Sequence, residues 1–148
     1  MILESNGTID SNGFDVTWNI VNNADALQNS TVSINVNDGL DVTTNAIDAT
    51  IGALAGGGDL NIGSQVLRIG SNGDDTTYSG ALTGSPGGSV VKLGAGTLTL
   101  TGTGAGFDSL QIRNGSVVEI DGGNYTTGSS AVTISNGGTL TVQNSGMY

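Results

Sequence analysis

The acidic side chains set what chemistry this sequence could do. Thirteen Asp and Glu oppose three basic residues, Arg68, Lys92 and Arg113, and both His and Cys are absent. That composition removes Ser-His-Asp triads, thiol nucleophiles and metal sites built from imidazole or thiolate. Two kinds of carboxylate chemistry are left. Hydrolysis of a glycosidic bond needs an acid and a base or nucleophile on either side of the bond. Asp41, Asp59, Glu119 and Asp121 are the candidates, and Glu119 and Asp121 alternate outward in one predicted strand. A solvated acidic face is the plainer reading of the same residues. Calcium takes hard oxygen ligands, which Asp74, Asp75 and the carbonyls of Ser71-Asn-Gly73 would offer on a glycine-rich loop. The alternating acidic ligands of a known calcium loop are missing, so an ordinary acidic turn competes with that reading. No other cofactor is expected. Trp18, Tyr78 and Tyr125 could present a sugar-binding surface, with loop or core-capping roles as the ordinary alternative. Phe14 and Phe107 read as core.

The net charge of −10 argues against nucleic acid and anionic lipid, which both need a basic footprint. Its ordinary consequence is solubility. Residues 1–20 hold no charged-then-apolar secretion signal, and no run approaches the length of a membrane span. Met1 and the ending Gly146-Met-Tyr148 read as the limits of a piece taken from a longer protein.

The elements that would hold these side chains are strands. Glycine is 26 of 148 residues, Pro occurs once, and the strong helix formers are scarce, with two Glu, one Lys and two Met. Thr, Val and Ile favour strands, and Asn, Asp and Gly favour the turns between them. A unit of apolar pair, small turn, apolar pair recurs through the chain. It is sharpest at 87–100, where Gly94-Ala-Gly96 separates Ser89–Leu93 from Thr97–Leu100. Val91, Leu93, Leu98 and Leu100 are expected to face one interior, and Lys92 to point outward as a structural residue. Further copies surround Asn37-Asp-Gly39, Gly63-Ser-Gln65, Asn114-Gly115 and Asn136-Gly137, and a loose one surrounds Ser11-Asn-Gly13, six in all.

First pairs start at Ile34, Leu60, Val91, Leu110 and Val132, giving steps of 26, 31, 19 and 22. Within a unit the strands lie too close for hairpin reversals, so the turns read as corners of a coil. The fold expected is all-β, a parallel β-helix of about six coils stacked roughly 4.8 Å apart. The period reads as about 20 residues, with loops inserted where a step is longer. The whole of 1–148 is one segment of such a rod: 1–30 irregular, 31–84 coils with inserted loops, and 85–148 regular coils. Residues 19–30 read as a loop or single turn, and Phe14, Val16 and Trp18 as a strand. Asn12, Asp38, Asn114 and Asn136 each precede a corner Gly, and Asn or Asp tolerates the left-handed region. Asn114 and Asn136 are expected to stack and hydrogen bond along the axis, as amide ladders do.

One stretch carries a family resemblance. Gly80-Ala-Leu-Thr-Gly84 followed by 87–102 resembles the passenger-associated transport repeat of bacterial autotransporters. Lys92, Gly94, Gly96, Thr97, Leu98, Leu100 and Gly102 match that motif in place, and Asn136-Gly-Gly-Thr-Leu-Thr-Val142 is similar to its end. The match covers about 80–142. The sequence departs at Thr103-Gly-Ala-Gly-Phe107, where the family carries Tyr-Thr-Gly; Tyr125-Thr-Thr-Gly128 comes one coil later. The resemblance implies a right-handed parallel β-helix within a passenger domain. It implies a secreted, type V-exported protein on the surface of a Gram-negative cell, attached through a C-terminal outer-membrane barrel outside this chain. A non-enzymatic scaffold aiding secretion and display, with adhesion to a host surface or to a like molecule in virulence, is the role expected. A polysaccharide-binding or polysaccharide-cleaving β-helix enzyme is the alternative.

Overall fold

A computed structural model of the chain describes residues 8–10, 18–19, 23–128 and 132–144. Every strand pairing in it is parallel. Among the described residues there is no helix. The chain winds as a β-solenoid, each coil lying on the last.

Two partial strands open it, β1 (Thr8–Asp10) and β2 (Trp18–Asn19). The next coil is β3 (Leu27–Ile34) and β4 (Leu40–Asp41), followed by β5 (Thr50–Gly56) and β6 (Leu60–Asn61). Three coils then have three separate legs. They are β7 (Val66–Ile69), β8 (Thr76–Tyr78) and β9 (Leu82–Thr83); β10 (Ser89–Lys92), β11 (Thr97–Leu100) and β12 (Thr103–Ala105); and β13 (Ser109–Ile112), β14 (Val117–Asp121) and β15 (Asn124–Tyr125). The last described strands are β16 (Thr133–Ile134) and β17 (Thr139–Gln143). This makes about five turns, against the six expected.

First legs stack in the order β16-β13-β10-β7, second legs as β8-β11-β14-β17, and third legs as β6-β9-β12-β15. Strand β5 joins the first two ladders, since Thr50 and Ile51 pair with β7 while Gly56 pairs with Tyr78 of β8. The coil is 22 residues over much of the rod: Gly56, Tyr78 and Leu100 lie in one column, and Leu60, Leu82 and Gly104 in another.

These columns correct the phase read from sequence. Leu60 belongs to a third leg, so it is not the counterpart of Val91. The apparent 31-residue step mixes two legs, and Ser71–Thr76 makes the same corner that Gly94-Ala-Gly96 makes one coil later. Strand β3 also begins at Leu27, inside the stretch expected to be loop, after a turn at 24–26. Phe14, Val16, Asn12 and 146–148 lie outside the described residues.

The core is a set of aliphatic stacks. Ile51, Ile69 and Ile112 share a column with Lys92; Leu67, Val90 and Leu110 form the next, and Leu98 and Val118 another. All but Lys92 are apolar and all are buried. Burial of each such side chain contributes roughly 1.5–3 kcal/mol. The third-leg column ends with a fitted pair. A side chain at Gly104 would fall on the ring of Tyr125, which sits one coil further on and takes up that space.

Candidate functional site

Several carboxylates serve the corners of the solenoid. Asp41 ends β4 and accepts hydrogen bonds from Thr43 N at 2.9 Å, Thr43 Oγ1 at 3.0 Å and Thr44 N at 3.0 Å. The Thr44 side chain and N–H hold its carboxyl down to about 2; Thr43 adds to this and partial burial opposes it. A depression of about 300 Å³ borders Asp41, with Asp38, Thr43, Thr44 and Asn61 around it. Because the folded value lies below the ordinary 3.8, this stabilisation is complete above pH 3.8 and is lost as pH falls through about 2. Asp41→Ala is expected to lower stability by about 1 kcal/mol at pH 7. Urea midpoints at pH 7 and pH 2 check this, the difference between the two chains shrinking at the lower pH.

Asp59 accepts from the N–H of Ala81 at 2.8 Å, and its own N–H donates to Asn37 Oδ1 at 3.0 Å, tying three successive coils. Glu119 and Asp121 do lie on one outward face of β14. Glu119 accepts from Thr99 Oγ1 at 3.2 Å and from the Gln143 amide, and Asp121 accepts from the Asn144 amide. Thr99 and Thr141 flank Glu119 in register. Both acids are held in a lengthwise ladder and not aimed across a cleft.

Asp74 accepts from Thr31 Oγ1 at 2.6 Å and Asn72 Nδ2 at 2.8 Å. Asp75 accepts from Thr97 N at 2.6 Å and so fastens the start of β11. Among the described residues, no three Asp or Glu side chains gather closely enough to hold a metal ion.

The side chains of Tyr78, Phe107 and Tyr125 are core. Tyr78 and Tyr125 are 0% and 1% exposed, so neither presents the sugar-binding surface considered from sequence, and Phe107 is buried as expected. Tyr78 Oη donates to Gly58 O at 2.6 Å. Tyr125 Oη has no hydrogen-bond partner among the described residues. Burial pushes both phenols well above the usual range, with Tyr125 adding to the effect at Tyr78. Trp18 lies in β2, paired with Leu40.

Lys92 corrects the largest sequence expectation. It points inward and is 1% exposed, in register with Ile69 and Ile112. Its Nζ donates to Leu93 O at 2.6 Å, beside Gly70. Val91 takes the outward side, between Arg68 and Gln111. The observed alternation is one residue out of step with the one expected, and a one-residue slip exchanges the two faces. Desolvation pulls the Lys92 amine down to about 8, with Asp75 partly offsetting it.

The remaining motif residues run along β11 from one corner to the next. Gly94 and Gly96 form the corner before it, Thr97 begins β11, Leu98 and Leu100 are buried, and Gly102 leads into β12. Asn114 and Asn136 both adopt positive φ, at 58° and 50°, and Asn136 Nδ2 donates to Asn114 Oδ1 at 3.3 Å.

No protein-family model matches this chain, and no solved structure matches it. Over 131 residues, 82% of the chain, it is 35% identical to the "Adhesin BmaC autotransporter" of Brucella suis biovar 1 (strain 1330). It is similar to part of an autotransporter adhesin. The chain spans about 4% of the length of BmaC, so the likeness concerns one short stretch of a very long protein. The parallel β-solenoid seen here fits a passenger domain.

Proposed function

We propose that this chain is a segment of an autotransporter adhesin passenger, exported by type V secretion and held on the surface of a Gram-negative cell. An outer-membrane barrel outside this chain would anchor it. Its role is that of a stiff, non-catalytic scaffold that aids export and displays adhesive parts.

One observation carries the reading: the stretch similar to BmaC folds as coils stacked in register, each supported by its neighbours. Contacts between adjacent coils are local in sequence, and such arrays can propagate coil by coil. That suits a chain folding as it emerges from a pore. The hydrogen bonds of Asp59, Glu119 and Asp121 along the axis support the scaffold over the enzyme alternative.

The stretch from Lys92 to Gly102 is assigned the export role. Two in-register deletions in the parent test this. Removing 89–108 joins Gly88 to Ser109, the partner of Ser89. Removing 66–88 joins Gln65 to Ser89, the partner of Val66. Both keep the phase of the rod; the first removes Lys92–Gly102, and the second removes the leading part of the resemblance, 80–88, but keeps Lys92–Gly102. Surface display, measured by protease accessibility on intact cells, is expected to fall several-fold for the first and little for the second. Equal display by the two would remove the export role and leave the scaffold.

A further inference from the structure

The rod is strongly acidic, yet its two solvent-facing cations meet in one place. Lys92 is buried, which leaves Arg68 and Arg113, and both border a groove of about 420 Å³ on the outer face of β7, β10 and β13. The volume falls within the range of small-molecule sites. Arg68 and Gln111 flank Val91 in register, so Val91 forms an apolar floor. Arg113 lies two residues beyond Gln111, and the two arginines are two strands apart, about 10 Å along the axis.

The groove is organised on one side and open on the other. Arg113 Nη2 donates to Gln111 Oε1. Gln111 Nε2 then reaches Ser89 Oγ at 3.4 Å and Ser109 Oγ at 3.5 Å, and the two serine hydroxyls lie 2.8 Å apart. Among the described residues nothing pairs with the Arg68 guanidinium. Asp108 also borders the groove, but its Oδ2 accepts from Gly87 N at 2.8 Å. A guanidinium fork matches a carboxylate or sulfate through two parallel hydrogen bonds. Serine hydroxyls and a carboxamide suit sugar hydroxyls, which both donate and accept.

We propose that this groove binds an anionic saccharide, its carboxylate or sulfate set against Arg68 and its ring hydroxyls against Ser109 and Gln111. The site stands apart from the passenger reading, since it rests only on the lateral face of the rod. Its hydroxyl lining, Ser89 and Ser109 on successive coils, runs along the axis, as a linear glycan would lie.

The test is a titration of the intact chain, followed by backbone amide NMR shifts. Three tetrasaccharides of matched length serve as probes: one of uronic acid units, one sulfated and one neutral. At least one anionic probe is expected to shift Gly87, Ser109 and Gln111 saturably, and which one does so identifies the anion. The neutral probe is expected to leave them unmoved. Arg68→Gln is expected to weaken binding at least tenfold, and Arg68→Lys, which keeps the charge without the fork, by less. Arg113→Gln provides an independent loss if the Arg68→Gln chain fails to fold. No saturable shift with either anionic probe would overturn the proposal. So would equal binding of the neutral probe, or unchanged affinity in the arginine variants.

Discussion

Gly94→Ala is expected to destabilise the fold by at least about 3 kcal/mol. Gly94 turns the corner after β10 with φ at 69°. A Cβ there would overlap the carbonyl oxygen of Gly70, the residue on the coil beneath. That oxygen accepts the Gly73 N–H at 3.2 Å, so it cannot swing aside without opening the lower corner. Backbone on both sides of the contact leaves no flexible side chain to give way. Gly73→Ala separates this effect from simple conformational cost. Gly73 also has positive φ, 80°, but nothing lies within 4 Å of the position its Cβ would take. Its replacement is expected to cost only about 1–2 kcal/mol, the ordinary penalty of a left-handed residue. Urea unfolding of the two variants beside the parent chain decides the matter. Equal losses would mean that close approach of the coils contributes nothing beyond the φ requirement.

Lys92→Met is expected to act in the opposite direction, raising stability by about 1–3 kcal/mol at pH 7. The ammonium is held among isoleucines, and its hydrogen bond to Leu93 O offsets only part of the desolvation. The pH dependence identifies the cause. The amine titrates near 8 in the fold and at 10.5 ordinarily. Between those values the unfolded chain keeps a proton that the folded chain has released, so stability rises with pH. Below about 8 both states are charged and the penalty is fully present. Tyr78 and Tyr125 then reverse the trend. Their folded values are raised above the ordinary 10.0. Their contribution is therefore present below pH 10 and lost as pH rises beyond it. The parent chain should show a stability maximum close to pH 10, and the Lys92→Met chain only the decline above it. A rise between pH 8 and 10 that survives the substitution would assign the effect to another group.

Much of this architecture is legible in the residues themselves. Alternating Thr, Val, Leu and Ile between Asn-Gly and Gly-Ala-Gly corners can only be strands turning around an axis, and Asn114 and Asn136 recur one coil apart. What is harder to read is phase. Val91 and Leu93 are as apolar as Val90, so nothing within 89–93 says which set faces inward. The decision comes from the flanking coils, where Leu67 and Ile69 below and Leu110 and Ile112 above meet Val90 and Lys92. A similar ambiguity hides the leg of Leu60, which pairs with Leu82 in the third-leg column. The arginine groove was hidden for a related reason. Arg68 and Arg113 lie 45 residues apart, which has meaning only once the coil is known to be close to 22 residues. The tyrosines leave two readings open in sequence, a sugar surface or a core-capping role, and the core decides for the second, since Tyr125 has a place prepared for it over Gly104.

That place has a consequence of its own. A rod of near-identical coils carries little information about order, and any coil could in principle sit on any other. Tyr125 over Gly104 breaks this symmetry, as does Phe107 against Gly84, where a side chain would also collide. Each is a key that fits one lock, and the third-leg counterparts Leu60 and Leu82 are not the glycine that Tyr125 requires. A coil stacked out of turn would set Tyr125 against leucine. The repetition builds the rod, and these two exceptions give its coils addresses.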